Sequence, residues 1–281
     1  MKVVETIDEV RACVAEARAA GKVVGLVATM GALHAGHVSL VNAARASSGL
    51  VVVSIFVNPT QFGPTEDFSR YPRTPQADIE TCRRNGADVV FMPGVETIYG
   101  PGGKTEVRVR DLGETLCGRS RPGHFAGVCT VVGKLFNIVA PDRAFFGAKD
   151  YQQATIIRRM TADLNFPVEI VVCPTVREAD GLAMSSRNAY LTPSERQQAT
   201  ALYESLCLAE WMIRQAHPPA DEVIAAMRAH LTSRSGGAAV DYVQIVDPDT
   251  LQDVQSTSDP VLLALAVRFG QTRLIDNMRV G

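Results

Sequence analysis

The strongest constraint on the fold is the alternation of strand-like and helix-like segments that continues up to residue 174. Short apolar runs typical of buried strands are separated by longer segments in which apolar residues have helical spacing. The predicted strands span 23–28, 50–57, 89–92, 107–109 (half-exposed), 144–146 and 168–173, and the predicted helices span 7–21, 37–46, 74–86, 125–139 and 151–164. Repeated β-α-β units of this kind predict an α/β fold in which helices flank both faces of a parallel sheet.

The pattern changes after residue 174. A second capping box, at 192–195, begins a helical segment, and Pro218 and Pro219 interrupt the helical pattern. The helices and strands of this part are predicted at 192–216, 219–233, 240–246, 261–268 and 273–276. Strands joined by short turns favour a small antiparallel sheet. We therefore predict an α/β domain over 1–175 and a smaller C-terminal α+β lid domain with the antiparallel sheet over 176–281.

Charge and cysteine usage exclude several classes of protein. The chain has 28 Lys and Arg against 30 Asp and Glu, a formal charge of −2. It therefore lacks the basic excess that neutralises a nucleic acid or an anionic membrane, and we expect neither partner. The longest apolar run, 261–267, is far shorter than a membrane span, and the acidic start does not resemble a signal peptide. None of the six cysteines has CxxC spacing, so we expect a cytoplasmic protein with reduced thiols and no cysteine metal site.

The segment 30–37, Met-Gly-Ala-Leu-His-Ala-Gly-His, follows the first strand of the predicted sheet. Ligands of open α/β sheets bind beyond the carboxyl ends of strands, and a helix that begins near Gly36 would direct free N–H groups there. His34 and His37 are three residues apart and so share a helix face, where they could bind phosphate oxygens. The alternative is a surface turn with two exposed histidines. The position after a strand favours the phosphate-binding interpretation.

Other segments that carry polar side chains also lie at or after the ends of predicted elements. Lys149 could contact phosphate, Arg187 could fork onto two phosphate oxygens, and Arg121 could bind a carboxylate. Asn58 and Gln61 follow a strand, and Gln153 lies one turn into a helix, where amides could bind hydroxyl or carboxylate groups. Each alone has a structural alternative: a solvated lysine or arginine, a polar linker, or a cap and turn. Their convergence on one edge of the sheet favours a common ligand site.

Taken together, five segments resemble the pantothenate synthetase (pantoate–β-alanine ligase) family from end to end. They are SIFVNPTQF at 54–62, YPRT at 71–74, RPGHFAGV at 121–128, GAKDYQQ at 147–153 and MSSRN at 184–188. The HxGH motif at 34–37 is also similar to the HIGH signature of the adenylate-forming nucleotidyltransferases, and MSSR to their KMSKS loop. The resemblance implies a Rossmann-like domain with a smaller C-terminal domain, usually assembled as a homodimer.

The resemblance further implies a two-step reaction of ATP, pantoate and β-alanine with magnesium. Pantoyl adenylate and pyrophosphate form first, and β-alanine then displaces AMP to give pantothenate. The implied pantoate and β-alanine ligands are Gln61 and Gln153, and His34, His37 and Lys149 are the implied catalytic residues. The implied ATP-binding residues are Met30, Gly31, Ala32, Leu33, His34, Ala35, Gly36, His37, Gly147, Ala148, Lys149, Asp150, Val176, Met184, Ser185, Ser186 and Arg187.

Two positions depart from the family pattern, since Ala148 stands where Glu or Gln is common and Cys117 where Glu is usual. Two other functions fit parts of the chain. A nucleotide-sensing module would bind ATP without turnover but would not need the amides of Gln61 and Gln153. A nucleotidyltransferase with a phosphate acceptor would need basic residues at those two positions. MSSR, just past the proposed domain boundary, also suggests a loop that closes over ATP.

Overall fold

The computed structural model describes residues 1–64 and 66–281, which divide into two compact units. The first unit comprises residues 1–113, 121–148 and 153–174, and the second comprises residues 114–120, 149–152 and 175–281. The chain therefore passes between the units more than once. The domain limits of 1–175 and 176–281, and the lid role of the second domain, stay predictions.

The first unit is built on a parallel sheet with helices around it. Its strands are β1 (Lys2–Val4), β2 (Val24–Thr29), β3 (Leu50–Ile55), β4 (Val89–Phe91), β5 (Arg143–Gly147) and β6 (Glu169–Cys173). Its helices are α1 (Ile7–Ala19), α2 (Ala35–Ser47), α3 (Pro75–Arg84), α4 (Val95–Tyr99), α6 (His124–Val139) and α7 (Tyr151–Asp163), the first two residues of α7 belonging to the second unit. Among the described residues the sheet has six strands in the order β1-β4-β3-β2-β5-β6, all parallel. The predicted parallel α/β sheet is confirmed.

Local sequence explains most of these elements. Strand β3 is buried along its whole length, as expected for an apolar central strand covered on both faces. Helix α1 begins with the predicted capping box, in which Glu9 N donates to Thr6 Oγ1 at 3.3 Å and Thr6 N donates to Glu9 Oε2 at 3.0 Å. Both features were readable from the sequence because they depend on neighbours along the chain.

The strand predicted at 107–109 is wrong. The segment is irregular, and Val107 N donates to the hydroxyl of Thr130 on α6 at 2.9 Å instead of to a strand. Half-buried and exposed residues still alternate along it, which is the pattern that suggested a strand. An extended segment that lies on a helix therefore has the period of a strand without its hydrogen-bonded partner.

The second unit combines helices with an antiparallel sheet. Its elements are α5 (Leu116–Ser120), α8 (Pro193–Gln198), α9 (Ala201–Ala216), α10 (Ala220–Arg234), β7 (Ala239–Val246), β8 (Val261–Phe269) and β9 (Thr272–Val280). The sheet order is β7-β8-β9, which confirms the predicted antiparallel sheet. Its core contains Leu206 of α9, Met227 of α10 and Leu263 of β8. No helix among the described residues has both the length and the apolar character needed to cross a membrane.

In the second unit, two elements differ from their predicted bounds by more than one residue. The helix predicted over 192–216 is divided at Ala199 and Thr200, where the Thr200 hydroxyl donates to Gln197 O at 3.0 Å. Such local hydroxyl bonds compete with helix continuation. Strand β9 runs to Val280 rather than to 276, because its pairing with β8 continues past the polar residues Asp276 and Asn277.

The strand order fixes where the loops of the first unit meet. Strand β2 lies between β3 and β5, and all three run in the same direction. Their carboxyl ends therefore lie side by side, about 4.8 Å apart from strand to strand. The chain leaves β2 into residues 30–37, β3 into residues 56–61 and β5 into residues 147–148. This is the position at which doubly wound sheets bind ligands.

Candidate active site

The loop after β2 is held in a left-handed turn by a buried carboxylate. Gly31 and Ala32 have φ of 84° and 50°. Asp78 of α3, which is only 2% exposed, accepts hydrogen bonds from Ala32 N at 2.9 Å and Leu33 N at 2.8 Å. A Cβ on Gly31 would lie 3.0 Å from Asp78 Oδ2, so glycine suits both the backbone angle and the space. Sequence reasoning did not identify Asp78, because an aspartate in the first turn of a helix is common.

The two histidines of this loop cap helix α2 with their own rings. Gly36 N donates to His34 Nδ1 at 3.1 Å, and His34 N donates to His37 Nδ1 at 3.3 Å. The ring centroids are 4.2 Å apart, which confirms that the two side chains share a face. Because each Nδ1 accepts a hydrogen bond, a neutral ring carries its proton on Nε2. Both rings therefore lie at the beginning of a helix with Nε2 as the protonated nitrogen, at a position that favours an anion.

The loop after β3 places Gln61 against the loop after β2. Asn58 is 1% exposed, and its Nδ2 donates to Gln61 Oε1 at 3.0 Å and to Gly127 O at 3.2 Å. Gln61 Nε2 donates to Met30 Sδ at 3.1 Å. The amide oxygen of Gln61 is thus held by Asn58, and its NH₂ group has a second hydrogen for another acceptor. Two predicted site residues, Met30 and Gln61, are in contact.

Arg121 does not present an exposed charge. Its guanidinium donates to both oxygens of Glu66, with Nε–Oε1 and Nη2–Oε2 distances of 2.6 Å. Burial alone would raise the pKa of Glu66, but the hydrogen bonds and charge of Arg121 outweigh burial and lower it. Arg121 Nη1 donates to His124 Nε2 at 3.0 Å, and His124 Nδ1 donates to Gln61 O at 2.8 Å. In this structure Arg121 binds an internal carboxylate and supports the backbone of Gln61.

Helix α6 approaches the Gln61 turn through a glycine. A Cβ on Gly127 would lie 2.4 Å from Thr60 O and 2.7 Å from Gln61 N. Both obstacles are backbone atoms, so they cannot move aside as a flexible side chain would. Gly127 therefore allows α6 to pack directly on the turn that carries Gln61.

The end of β5 supplies the other predicted residues of the first unit. A Cβ on Gly147 would meet no atom within 4 Å, so the space beside it is open. Ala148 is half-buried, and Gln153 is half-buried in the first turn of α7. Gln153 forms no side-chain hydrogen bond with any residue that the structure describes. Its amide is therefore available for a ligand.

The second unit carries Lys149 in a short turn before α7. The side chain is 20% exposed, and Nζ lies 3.6 Å from Asp150 Oδ1. The carbonyl oxygen of Lys149 accepts a hydrogen bond from Asn277 Nδ2 of β9 at 2.6 Å. The backbone of Lys149 is thus attached to the antiparallel sheet.

Val176 and Met184 are neighbours in a small hairpin of the second unit. Met184 N donates to Val176 O at 3.0 Å, and Glu178 N donates to Leu182 O at 2.8 Å. The next residue, Ser185, caps the following 3₁₀ turn by accepting from Arg187 N at 3.2 Å. Two predicted ATP-binding segments are therefore adjacent in space.

The departure at Cys117 lies in a polar cluster of the second unit. Its Sγ is 3.2 Å from the hydroxyl of Tyr242 and accepts from both terminal nitrogens of Arg273 at 3.6 Å. Burial raises the pKa of Tyr242 well above its usual range, and Cys117 adds to that effect. Arg273 also pairs with Asp241 at 2.7 Å. The Cys117 thiol is thus one of the hydrogen-bond partners of the Arg273 guanidinium, together with the carboxylate of Asp241.

A resident metal site would need several ligating side chains close together. Residues 1–64 and 66–281 contain no group of three or more His, Cys, Asp or Glu side chains with the geometry to hold an ion. A magnesium ion that accompanies a nucleotide is usually bound by one or two carboxylates together with the phosphates, and keeps several waters.

Comparison with known proteins gives consistent results over the whole chain. The Pantoate-beta-alanine ligase family model matches residues 2–279. A pantothenate synthetase of Moorella thermoacetica is 55% identical over 99% of this chain and 98% of the relative, and one of Thermotoga neapolitana is 53% identical over the full length of both.

Solved structures agree with the sequence relatives. The pantothenate synthetase of Thermus thermophilus superposes with a TM-score of 0.94 at 45% identity, covering 99% of each chain. A pantoate-beta-alanine ligase of Francisella tularensis, complexed with beta-gamma ATP and beta-alanine, gives a TM-score of 0.81 at 34% identity over 99% of this chain and 97% of that one. The chain belongs to the pantoate–β-alanine ligase family, also called the pantothenate synthetases.

Proposed function

We propose that this ligase joins pantoate to β-alanine in two steps, with ATP converted to AMP and pyrophosphate through pantoyl adenylate. The observation that carries the proposal is the contact between Gln61 Nε2 and Met30 Sδ at 3.1 Å. It sets the proposed pantoate-binding amide against the first residue of the proposed ATP-binding loop. A carboxylate bound at Gln61 would therefore lie near the phosphates bound at the helix α2 terminus.

The chemistry explains why an adenylate is needed. A free carboxylate does not react usefully with an amine, because oxide would have to leave. In the first step a pantoate carboxylate oxygen attacks the α-phosphorus of ATP, and the bond to pyrophosphate breaks. In the second step the neutral amine of β-alanine attacks the acyl carbon, and AMP leaves as a stable anion. The proton lost by the amine passes to the adenylate oxygens or to solvent.

The first step brings two anions together, so the site must offset their repulsion. We assign His34 and His37 to phosphate oxygens through their Nε2–H groups, since their Nδ1 atoms accept backbone hydrogen bonds. Lys149 and Arg187 supply positive charge to the same phosphates. Magnesium enters with ATP as part of the substrate and neutralises charge on the leaving pyrophosphate.

The other proposed ligands of ATP and pantoate lie in the segments that resemble the family. ATP is bound by residues 30–37, 147–150, 176 and 184–187, and pantoate by Gln61 and Gln153, with β-alanine also near Gln61. Amides suit pantoate because they bind its hydroxyl and carboxylate groups without adding charge to a site already rich in cations. We further propose that the enzyme acts as a homodimer in the cytoplasm. Sedimentation velocity should give the mass of two chains.

Isotope exchange tests the two-step reaction. With pantoate, magnesium and ATP but no β-alanine, labelled pyrophosphate should enter ATP, because the first step is complete and reversible without the amine. Omission of pantoate should abolish exchange, which excludes a background pyrophosphatase. Exchange that requires β-alanine would refute the adenylate route, and release of ADP would indicate an acyl phosphate instead.

His37→Ala separates the two steps. Because its Nε2–H is assigned to phosphate oxygens during adenylation, the variant should lose more rate in pyrophosphate exchange than in the reaction of purified pantoyl adenylate with β-alanine. A larger loss in the second reaction would contradict the assignment.

A further inference from the structure

Strand β9 of the second unit forms hydrogen bonds to two segments of that unit that carry proposed ATP-binding residues. They are the turn that holds Lys149 and the hairpin 176–184. Asn277 Nδ2 donates to the carbonyl oxygen of Lys149 at 2.6 Å. The adjacent Asp276 accepts from Arg177 Nη1 at 2.6 Å and Arg177 Nη2 at 3.0 Å. Neither Asp276 nor Asn277 belongs to any motif that suggested the function.

The Asp276–Arg177 pair fixes the hairpin that holds Val176 and Met184. The Asp276 side chain is 1% exposed, and the guanidinium of Arg177 also stacks on the ring of Tyr203 at 4.2 Å. A bidentate pair of this kind sets the orientation of Arg177 as well as its position. The backbone on either side of Arg177 is therefore fixed relative to β9.

The contact between Asn277 and Lys149 is simpler to test than the one between Asp276 and Arg177. The side chain of Asn277 is neutral, so Asn277→Ala leaves no charge without a partner, whereas a change at Asp276 would leave Arg177 without its carboxylate. Its amide donates to the carbonyl oxygen of Lys149, which lies in the 3₁₀ turn Ala148–Asp150. Loss of that hydrogen bond would release the turn while leaving the lysine side chain chemically intact.

We propose that Asn277, with Asp276 beside it, is a positioning residue for ATP: the strand places Lys149 and the 176–184 hairpin at a fixed spacing on one rigid sheet. The inference depends on the proposed ATP-binding role of Lys149. The placement of Lys149 matters because a preorganised positive group stabilises the transition state fully only when it lies where negative charge develops on the phosphates. A role of this kind acts on ATP and not on pantoate, whose proposed ligands Gln61 and Gln153 belong to the first unit.

The test compares Asn277→Ala and Asn277→Asp with Arg279→Ala, a control at an exposed residue of the same strand. Asn277→Asp keeps the shape of the side chain but replaces the donor by an oxygen that repels the carbonyl. We expect both Asn277 variants to raise the KM and Kd for ATP roughly 3- to 10-fold, the scale of one hydrogen bond. The KM for pantoate and the thermal midpoint should stay near wild type. A general loss of folded enzyme would instead lower kcat and leave each KM unchanged.

A double-mutant cycle with Lys149→Ala makes the test specific. If Asn277 acts through Lys149, removing its amide from the Lys149→Ala enzyme should add little further loss of ATP affinity. Wild-type ATP affinity in the Asn277 variants, or fully additive losses in the cycle, would overturn the inference. The ATP titration does not need turnover, so absence of pyrophosphate exchange in the wild-type enzyme would refute the proposed function separately.

Discussion

Helix α6 offers a matched pair of glycine substitutions that tests how tightly the Gln61 turn is held. In Gly127→Ala the new methyl group would lie 2.4 Å from Thr60 O, about 1 Å inside the ordinary contact distance that begins at 3.4 Å. In Gly133→Ala, on the same helix, it would lie 3.8 Å from Phe166 Cζ, an ordinary contact. The two changes are chemically identical and differ only in what the methyl group meets.

The expected magnitudes follow from that difference. Replacing a helical glycine by alanine stabilises a helix by about 1 kcal/mol, so Gly133→Ala should raise the free energy of unfolding by about 0.5–1 kcal/mol. Overpacking costs about 1–3 kcal/mol, and a backbone obstacle favours the upper part of that range. Gly127→Ala should therefore lower the free energy of unfolding by about 1–2 kcal/mol. A shift of about 1 Å in the Gln61 turn should reduce kcat/KM for pantoate by up to ~10²-fold.

Urea unfolding and steady-state kinetics measure both effects. Gly127→Ala should affect pantoate far more than ATP, since the displaced turn carries Gln61, whereas Gly133→Ala should keep wild-type kinetics. If Gly127→Ala binds pantoate as well as Gly133→Ala does, the packing of α6 does not position Gln61 for pantoate. If the two variants have the same free energy of unfolding, the clash at Gly127 has no energetic consequence.

Three further results are expected. Gln61→Ala and Gln153→Ala should each weaken pantoate binding by about 1–3 kcal/mol and leave ATP binding nearly unchanged, which calorimetry would detect; equal losses for both ligands would contradict the assignment. Lys149→Ala should slow pyrophosphate exchange roughly 10²-fold, and a folded variant with a near-normal rate would remove Lys149 from the mechanism. Because Arg121 lowers the pKa of Glu66 below its ordinary 4.5, their pairing stabilises the fold above that pH and is lost as the pH falls through the lowered pKa. Unfolding measured across the acid range should thus show a shallower pH dependence in Glu66→Gln, and an unchanged slope would show that the pair does not contribute.

The sequence predicts those parts of the fold and site that depend on short-range pattern. The parallel sheet follows from apolar runs such as β3, and the shared face of His34 and His37 follows from their spacing. The capping of α2 by both histidine rings is also local, although spacing alone does not specify which nitrogen accepts.

The residues that sequence reasoning missed act over long distances along the chain. Asp78 holds Ala32 from 46 residues away, and Asn277 reaches Lys149 across 128 residues. An aspartate at a helix start and an asparagine in a strand have nothing in their neighbours to mark them. The sequence indicates that Arg121 could bind a carboxylate but does not specify which one, and in the structure it binds Glu66, 55 residues away.

The position of β2 between β3 and β5 also has a consequence for how the enzyme folds. β2 pairs on one side with β3, which is close in sequence. On its other side it pairs with the distant β5, where Gly25 lies opposite Arg143. Next to this pairing, Val24 N donates to Asp142 Oδ2 across 118 residues. Closing so long a loop is entropically costly, so this pairing should form after the local β2–β3 pairing. During synthesis the proposed ATP-binding loop, residues 30–37, would emerge long before β5, the strand that completes its surroundings. Refolding followed by nucleotide binding should accordingly lag behind refolding followed by helix content.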